Sequence, residues 1–470
     1  MIIGIDVGGT FTDAVLVDDT GAIVSFRKKP TSADIETSVK ALIDELMHPM
    51  VTSIHIGTTH ALNALLQRKG LASVGLIRLA GHRPDFVPQL CNIDVRIETI
   101  GGGFECDGRP ITPFSEREAK EAIERLIAGG AQRLAVVGTF SSLYPEQELA
   151  IAALSPLPVT LSHQLGGFGI IERENAAVIN AALQPLFERG FSSLKYKNTP
   201  LFLSQNNGGL LPLERALEMP VLTLSAGPVN SFMGASRIAK CEDAIIVDIG
   251  GTSSDIGYIE KGYVKRSFRL SEVAGIPLNL PMPDLFSLAV GGGSFIDQGG
   301  IGPESAGSAL FREAAAFGGE RLTLTDAAIA LGYVTIPMAN PKRVSLSHNE
   351  AKRFIQRAAE KILSKIRGHK PLFFVGGGAL LFPEFLWNNR GEVLPEASVA
   401  NAYGAALAEK GITIDKIIPL SEQDALEEEV LHKAIQEGAD PRKVRVVQCD
   451  VSPLAYDSMK RARIIITAMG

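Results

Sequence analysis

The sequence predicts an α/β protein built by duplication, and three observations carry that prediction. The segment Asp6-Val-Gly-Gly-Thr10-Phe-Thr12-Asp13 recurs as Asp248-Ile-Gly-Gly-Thr252-Ser-Ser254-Asp255. Each copy follows an apolar run and leads to a second run, a glycine turn (Gly21, Gly262) and a third run, the pattern of a repeated β-hairpin with an added strand. Between the copies, short β-branched runs alternate with segments of helical period.

Taken in order, Ile2–Val7 is a strand, Gly8-Gly9 a turn, Ala14–Val17 a second strand, and Asp18–Gly21 a turn into Ile23–Phe26. A helix is expected over 34–47, because Ile35, Val39, Leu42, Ile43 and Leu46 share one face and Ser32 or Asp34 can cap it. Strands at Ile54–Ile56, Val74–Ile77 and Leu134–Val137 alternate with helices at Ala61–Lys69 and Glu116–Ala128. A long helix covers Arg173–Phe191, and strands return at 243–248 and at Tyr263–Lys265. The proline-rich Pro277–Pro283 reads as a loop or linker, 310–335 and 349–367 as helices, and Leu372–Val375 as a strand ending in Gly376-Gly377-Gly378. The tail from Lys443 reads as β-rich, with strands at Val444–Val447 and Ile464–Ile466. The expected units are therefore 1–170 with the first hairpin, 171–420 with the second, and a helix plus β-rich tail over 421–470.

Composition sets limits. With 46% hydrophobic and 21% charged residues over 470 positions, the chain is an ordinary globular protein large enough for two or three domains. A net charge of −6 supplies no field for nucleic acid or an anionic membrane, and neither is expected as a partner. Asp6 interrupts the apolar N-terminus, which lacks a basic region, so a signal peptide is not expected; nor is any apolar run long enough to span a bilayer. Cys91, Cys106, Cys241 and Cys449 are scattered, which argues against zinc, iron–sulfur or disulfide chemistry and makes the cytoplasm the expected location. The chain has no Walker loop, dinucleotide fingerprint, nucleophile elbow or zincin motif. His55 and His60 are spaced poorly for a metal and read as core or surface residues.

The repeated hairpin has its own chemistry. Paired glycines let backbone N–H groups approach an anion, and the following threonine adds a hydroxyl donor. An aspartate just ahead of the turn repels phosphate directly but fits it through a hydrated Mg²⁺. Asp6 and Asp248 are thus candidate metal or nucleophile-orienting carboxylates, and Thr10 and Thr252 candidate phosphate contacts. One such motif is as readily a plain hairpin; two with matched flanks favour phosphate. Gly291-Gly292-Gly293 and Gly376-Gly377-Gly378 are either flat surfaces for a base or ribose or tight strand–helix turns.

These residues resemble the hydantoinase/oxoprolinase family of the actin–hexokinase–heat-shock ATPase superfamily. The likeness rests on Gly4–Asp13, His55-Ile-Gly-Thr-Thr-His-Ala-Leu-Asn63 with Arg68-Lys-Gly70, Gln205-Asn-Asn-Gly-Gly209, Ser225-Ala-Gly-Pro228, Asp248–Asp255, Gly291–Ser294, Gly302-Pro-Glu-Ser-Ala-Gly307 and Val451–Tyr456. It implies duplicated actin-like (ribonuclease H-like) domains around an ATP cleft. It also implies an ATP-dependent hydrolase that opens a cyclic amide such as a hydantoin or 5-oxoproline by phosphorylating its carbonyl oxygen. ATP and Mg²⁺ are the implied cofactors. The implied partners are the cyclic amide and a hydantoinase B-like subunit, with a homodimer as a further assembly.

Residue by residue, the resemblance gives Gly8, Gly9, Thr10 and Thr12 to a first phosphate loop and Gly250, Gly251, Thr252 and Ser253 to a second. Gly376, Gly377 and Gly378 fall beside adenosine, with Gly291 and Gly292 as further cofactor-binding positions; Asp6 and Asp248 organise Mg²⁺ and the attacking oxygen. Gly57-Thr58-Thr59 and Asn206–Gly209 are cleft loops or ordinary turns, and Glu304 is a substrate-side acid or a surface carboxylate. After Gly307 the family's proline- and cysteine-bearing stretch is replaced by Ser308–Phe317, which reads as a helix. Other readings of the same site are a small-molecule kinase, an ATP-dependent carboxylase subunit, and a non-catalytic ATP-driven switch.

Overall fold

The computed structural model describes all residues except 10, 32–34, 80–92, 168, 197–198, 268–270, 298–299, 388–389, 456 and 458. The expectations for Thr10, the caps Ser32 and Asp34, Cys91 and Tyr456 lie outside the described residues.

The duplication is visible in strand order. In the first sheet Ile23–Pro30, Phe11–Val17, Ile2–Val7, Ser53–Thr58 and Leu201–Ser204 lie side by side, with Leu210–Pro212 added at the far edge. In the second, Tyr263–Val264, Ser254–Glu260, Ala244–Ile249, Leu372–Val375 and Glu392–Val393 follow the same order. In both, the hairpin strands are antiparallel and the two strands beyond the central one are parallel to it. The register is also shared: Asp6 faces Asp13 as Asp248 faces Asp255. Each turn closes alike, by Gly8 N–H to Phe11 C=O at 3.1 Å and Gly250 N–H to Ser253 C=O at 2.9 Å.

The first sheet does not end near residue 170, because Leu201–Ser204 and Leu210–Pro212 complete it. The residues between its fourth and fifth strands form a separate, wholly parallel sheet of Val95–Thr99, Val74–Leu79, Arg133–Gly138 and Val159–Leu161. Parallel pairing of distant strands leaves no local signal in sequence. The helix Ile170–Phe191 is wedged between the two sheets; Ile3, Ile54, Val74, Ala135 and its own Ile179 and Phe187 share one buried core. The tail likewise gathers a strand from before residue 421: Gly411–Pro419 pairs with Arg461–Met469, which pairs with Arg445–Pro453, and the helix Gln423–Gln436 covers that sheet.

The 310–335 segment departs from a continuous helix. It breaks into Leu310–Glu313, a 3₁₀ turn Ala315–Phe317, a short strand and the helix Leu324–Ala330, because Gly318 takes φ +104° and ends the first turns. The Pro277–Pro283 stretch is not wholly loop, since Ile276–Leu278 pairs with Ser271–Val273.

Two helices join the halves. Ala226–Ala239 packs on the second sheet through Val229, Phe232 and Met233, and Ala400–Leu407 packs on the first through Ala402 and Ala406. They cross at Gly234 and Gly404. A Cβ on Gly234 would lie 2.0 Å from the Ala400 carbonyl oxygen, and one on Gly404 would lie 1.9 Å from that of Asn230. Only glycine permits that approach.

Candidate active site

The crossing brings a polar side chain to each hairpin aspartate. Three residues before Gly404, Asn401 donates from Nδ2 to Asp6 Oδ2 at 3.3 Å. Three residues before Gly234, the Ser231 hydroxyl lies close enough to Asp248 to favour its ionised form, though without a hydrogen bond of good geometry. Asn401 acts on Asp248 in the same sense, so one amide serves both halves. Asp6 and Asp248 are close enough that the charge on Asp248 helps raise the Asp6 carboxyl. The duplicated motifs therefore face each other.

Burial dominates the electrostatics. It pushes Asp6, 4% exposed, up to about 7, with Asp13 and Asp248 adding repulsion. Burial also raises Asp13 and Asp248, and takes Asp255 to about 6. The nearby cation is Lys28, whose ammonium lies 2.8 Å from Asp13 Oδ1 and favours the ionised forms of Asp6, Asp13 and Asp248.

Asp6 Oδ1 is a buried acceptor with no hydrogen-bond partner, and Asn230 Nδ2 is a buried donor with none. Both flank Gly57, whose Cβ would lie 3.1 Å from the first and 2.2 Å from the second. An orphaned carboxylate oxygen is costly unless something fills it, and a hydrated cation or its water has the right chemistry. The residues present thus fit a Mg²⁺ held through Asp6 and Asp248 with water and phosphate oxygens. Among the described residues no three His, Cys, Asp or Glu side chains form a metal cluster by themselves.

The glycine clusters clamp the second hairpin. Gly292 N–H donates to Gly250 C=O at 2.9 Å, Gly293 N–H to Gly251 C=O at 2.6 Å, and Gly378 N–H to Ile249 C=O at 2.7 Å. A Cβ on Gly291 would meet backbone atoms of Gly250, Gly251 and Ser253 at 2.8 Å, and one on Gly376 (φ +86°) would lie 2.1 Å from Asp248 Oδ1. By contrast, Gly251 and Gly377 have nothing within 4 Å of a Cβ, and Gly9 nearly so, with Asn63 at 3.5 Å. Gly9, Gly251 and Thr252 are exposed and Ser253 is half-buried. These open glycines form the cradle that an anion can enter.

Other expected residues fall elsewhere. Thr12 is fully buried and its hydroxyl is 3.0 Å from that of Thr31, which donates to Gly8 C=O, so Thr12 braces the turn from inside. Gly57-Thr58-Thr59 ends the strand beside Asp6, and Thr59 N–H donates to Val7 C=O. Asn206 and Asn207 hold scaffold, taking Ser225 N–H and giving to Thr413 Oγ1. Glu304 is exposed and ion-paired with Arg321. His55 is a core residue whose Nδ1 meets the carbonyls of Ala405 and Ala406 at the end of the crossing helix.

Sequence reasoning missed Lys28, Asn401, Ser231 and Asn230. A signal existed for two of them, since Ser231-x-x-Gly234 and Asn401-x-x-Gly404 share a spacing. The Ser308–Phe317 departure also sits at this site. Gly307, just before it, lies against Thr252, and the Phe311 ring is 6.1 Å from Phe11, so the segment packs on the first hairpin and is joined to the second.

This constellation, two facing Asp-x-Gly-Gly hairpins on duplicated sheets, defines an actin-like ATPase fold. The chain belongs to the hydantoinase/oxoprolinase family: the family's N-terminal region matches residues 2–155 and its Hydantoinase/oxoprolinase region residues 173–369. It is 30% identical over 382 residues to caprolactamase subunit alpha of Pseudomonas jessenii, covering 71% of this chain and 54% of the relative. It is 26% identical over 416 residues to the acetophenone carboxylase gamma subunit of Aromatoleum aromaticum, covering 75% and 56%. The chain thus spans about half the length of these relatives. The crystal structure of ATP-dependent caprolactamase from Pseudomonas jessenii superposes with a TM-score of 0.76 at 21% identity, over 100% of this chain and 87% of that one. Among the described residues no helix is long and apolar enough to cross a membrane.

Proposed function

We propose that this chain binds Mg-ATP between the hairpins and transfers the γ-phosphoryl group to the carbonyl oxygen of a small cyclic amide, which water then opens. The overall balance is ring amide, ATP and two waters to ring-opened amino acid, ADP and phosphate: one water opens the C–N bond of the phosphorylated ring and the second releases phosphate. The observation that carries the reading is the pair of facing hairpins whose aspartates share Asn401.

Gly9, Gly251, Thr252 and Ser253 would present donors to the phosphates, and Gly377 leaves room for the nucleoside. Asp6 and Asp248 would hold Mg²⁺, which neutralises phosphate charge when bound. Lys28 favours the ionised forms of those carboxylates against burial and adds positive charge to the site. Orientation by the rigid crossing helices supplies much of the rate, since phosphoryl transfer depends on positioning and charge.

The likeness to a carboxylase subunit supports a second reading in which a ketone enolate oxygen is phosphorylated and passed to a partner. Both readings imply a separate subunit, in line with the relatives' names, and a cytoplasmic setting. Phosphate release from Mg-ATP, measured with hydantoin, 5-oxoproline, larger lactams and methyl ketones, separates them. Stimulation by a ring, with ring-opened product, supports the hydrolase; stimulation by ketones alone replaces it with the carboxylase reading. No stimulation, with or without co-purified partners, contradicts both.

A further inference from the structure

A cavity of ≈ 390 Å³ lies where the turn after Leu161, the loop Gln205–Asn207 and the strand Gly411–Pro419 meet. Its size suits one small molecule. His163, Gln205, Asn207 and Lys416 supply polar groups to its lining, and Leu211 and Ile414 supply apolar surface.

His163 is held there by buried charge. Its Nδ1 is 2.8 Å from Oε2 of Glu148, which is fully buried. The other carboxylate oxygen of Glu148 accepts from Gly138 N–H at 3.0 Å and from the Ser141 and Ser162 hydroxyls at 2.6 Å. Arg173 donates to the same two hydroxyls. Burial works against the Glu148 carboxylate, but the His163 bond and the Arg173 charge hold it below the usual carboxylate range. In the neutral imidazole, an acceptor-only carboxylate selects the tautomer with the proton on Nδ1, in which Nε2 is an acceptor. Among the described residues Nε2 has no hydrogen-bond partner.

The cavity's place in the fold connects it to the phosphate hairpins. Leu201–Ser204 runs parallel to Ile2–Val7 through Ser53–Thr58, so Gln205 leaves the same carboxyl edge of the sheet from which Gly8 opens the first hairpin. Two strand spacings, about 10 Å, separate the strands. Ligands of α/β sheets gather at that edge.

We propose that this cavity is the acceptor pocket of the nucleotide site, taking a small cyclic amide with its methylenes on the apolar surface and its ring N–H on His163 Nε2. The inference rests on the phosphoryl-transfer reading above. As the carbonyl oxygen bonds to the γ-phosphorus of ATP, the bond from that phosphorus to the ADP oxygen breaks. The amide N–H proton passes to His163, and its electron pair becomes the C=N bond of the phosphorylated ring. His163 is the proton acceptor and Glu148 its positioning residue.

The test is calorimetric binding of 2-pyrrolidone, 5-oxoproline, ε-caprolactam and hydantoin to the full chain with a non-hydrolysable Mg-ATP analogue present. Binding of the analogue alone is measured beside it. At least one ring should bind the wild type, and His163→Gln should weaken it at least tenfold without changing analogue affinity. The His163 imidazole ¹⁵N signals should shift on adding that ring. Ile414→Trp, which fills the cavity from the strand Gly411–Pro419, should weaken the ring equally and covers the case in which His163→Gln does not fold. A chain that binds the analogue but no ring, or binds a ring equally in both variants, overturns the acceptor pocket and leaves the nucleotide site standing. Failure to bind the analogue overturns the phosphoryl-transfer reading itself.

Discussion

The two hairpins share backbone and register, but what stands across from each differs. In the first half, the residue opposite Asp13 on the neighbouring strand is Lys28; in the second, the residue opposite Asp255 is Ser287. Lys28 makes an ion pair and acts on three carboxylates, whereas Ser287 donates one hydrogen bond to Asp255. The second hairpin is instead clamped by Gly291–Gly293 and Gly378 through backbone bonds. Duplication kept the Asp-x-Gly-Gly hairpin twice and divided the other tasks: the first copy carries the charge and the second the rigidity. Flanking positions diverged in the same way. His55 pairs with Gly4 and ties the first sheet to its helix, while Phe373 pairs with Ile246 at the equivalent place and packs, half-buried, against a core.

The largest expected effect follows from that division. Asp6→Asn should lower ATP turnover by about 10³-fold, with an unchanged circular dichroism spectrum and a melting temperature no lower than wild type, since it removes a buried charge. Turnover within a few-fold of wild type would take Asp6 out of the mechanism. Next, Lys28→Met should lower kcat/KM for ATP by about 10- to 100-fold, a few kcal/mol of charge stabilisation. Ser287→Ala should change it by less than about threefold, because Ser287 carries no charge and bonds Asp255 rather than Asp6 or Asp248. Equal losses would erase the proposed asymmetry.

How much of this was legible follows from where each signal sits. The hairpins lie within single short segments, so their glycines and aspartates declare themselves in sequence, and a repeat at matched flanks doubles the signal. The strand order required pairing across gaps of up to about 150 residues, for which propensity carries no information, and the insertion of a separate parallel sheet moved the boundaries. Lys28, Asn401 and Ser231 lie on other strands or helices than the aspartates they serve. Nothing local marks them except the shared polar-x-x-Gly spacing. The Ser308–Phe317 segment has helical composition, yet extended Ala314 and left-handed Gly318 break it into short turns, with Phe311 edge-on to Phe11.

A separate effect concerns stability rather than turnover. Burial lowers the His55 imidazole to about 4 from 6.5, so in the fold it is neutral at a pH where the unfolded chain already binds a proton. Its contribution is complete above about pH 6.5 and is lost as pH falls toward 4, a change of about 3 kcal/mol. His55→Gln should flatten that part of the denaturant-unfolding profile. An unchanged slope between those pH values would assign it to other groups.

The central claim is that both hairpins hold one nucleotide. Gly9 and Gly251 both have room for a Cβ in the folded chain, yet both face the cradle. Calorimetric titration of Mg-ATP into the wild type, Gly9→Val and Gly251→Val tests the claim most directly. The account predicts one site per wild-type chain, and at least tenfold weaker binding in each variant with unchanged melting temperatures. Wild-type affinity in either variant, or two independent sites per chain, would contradict it.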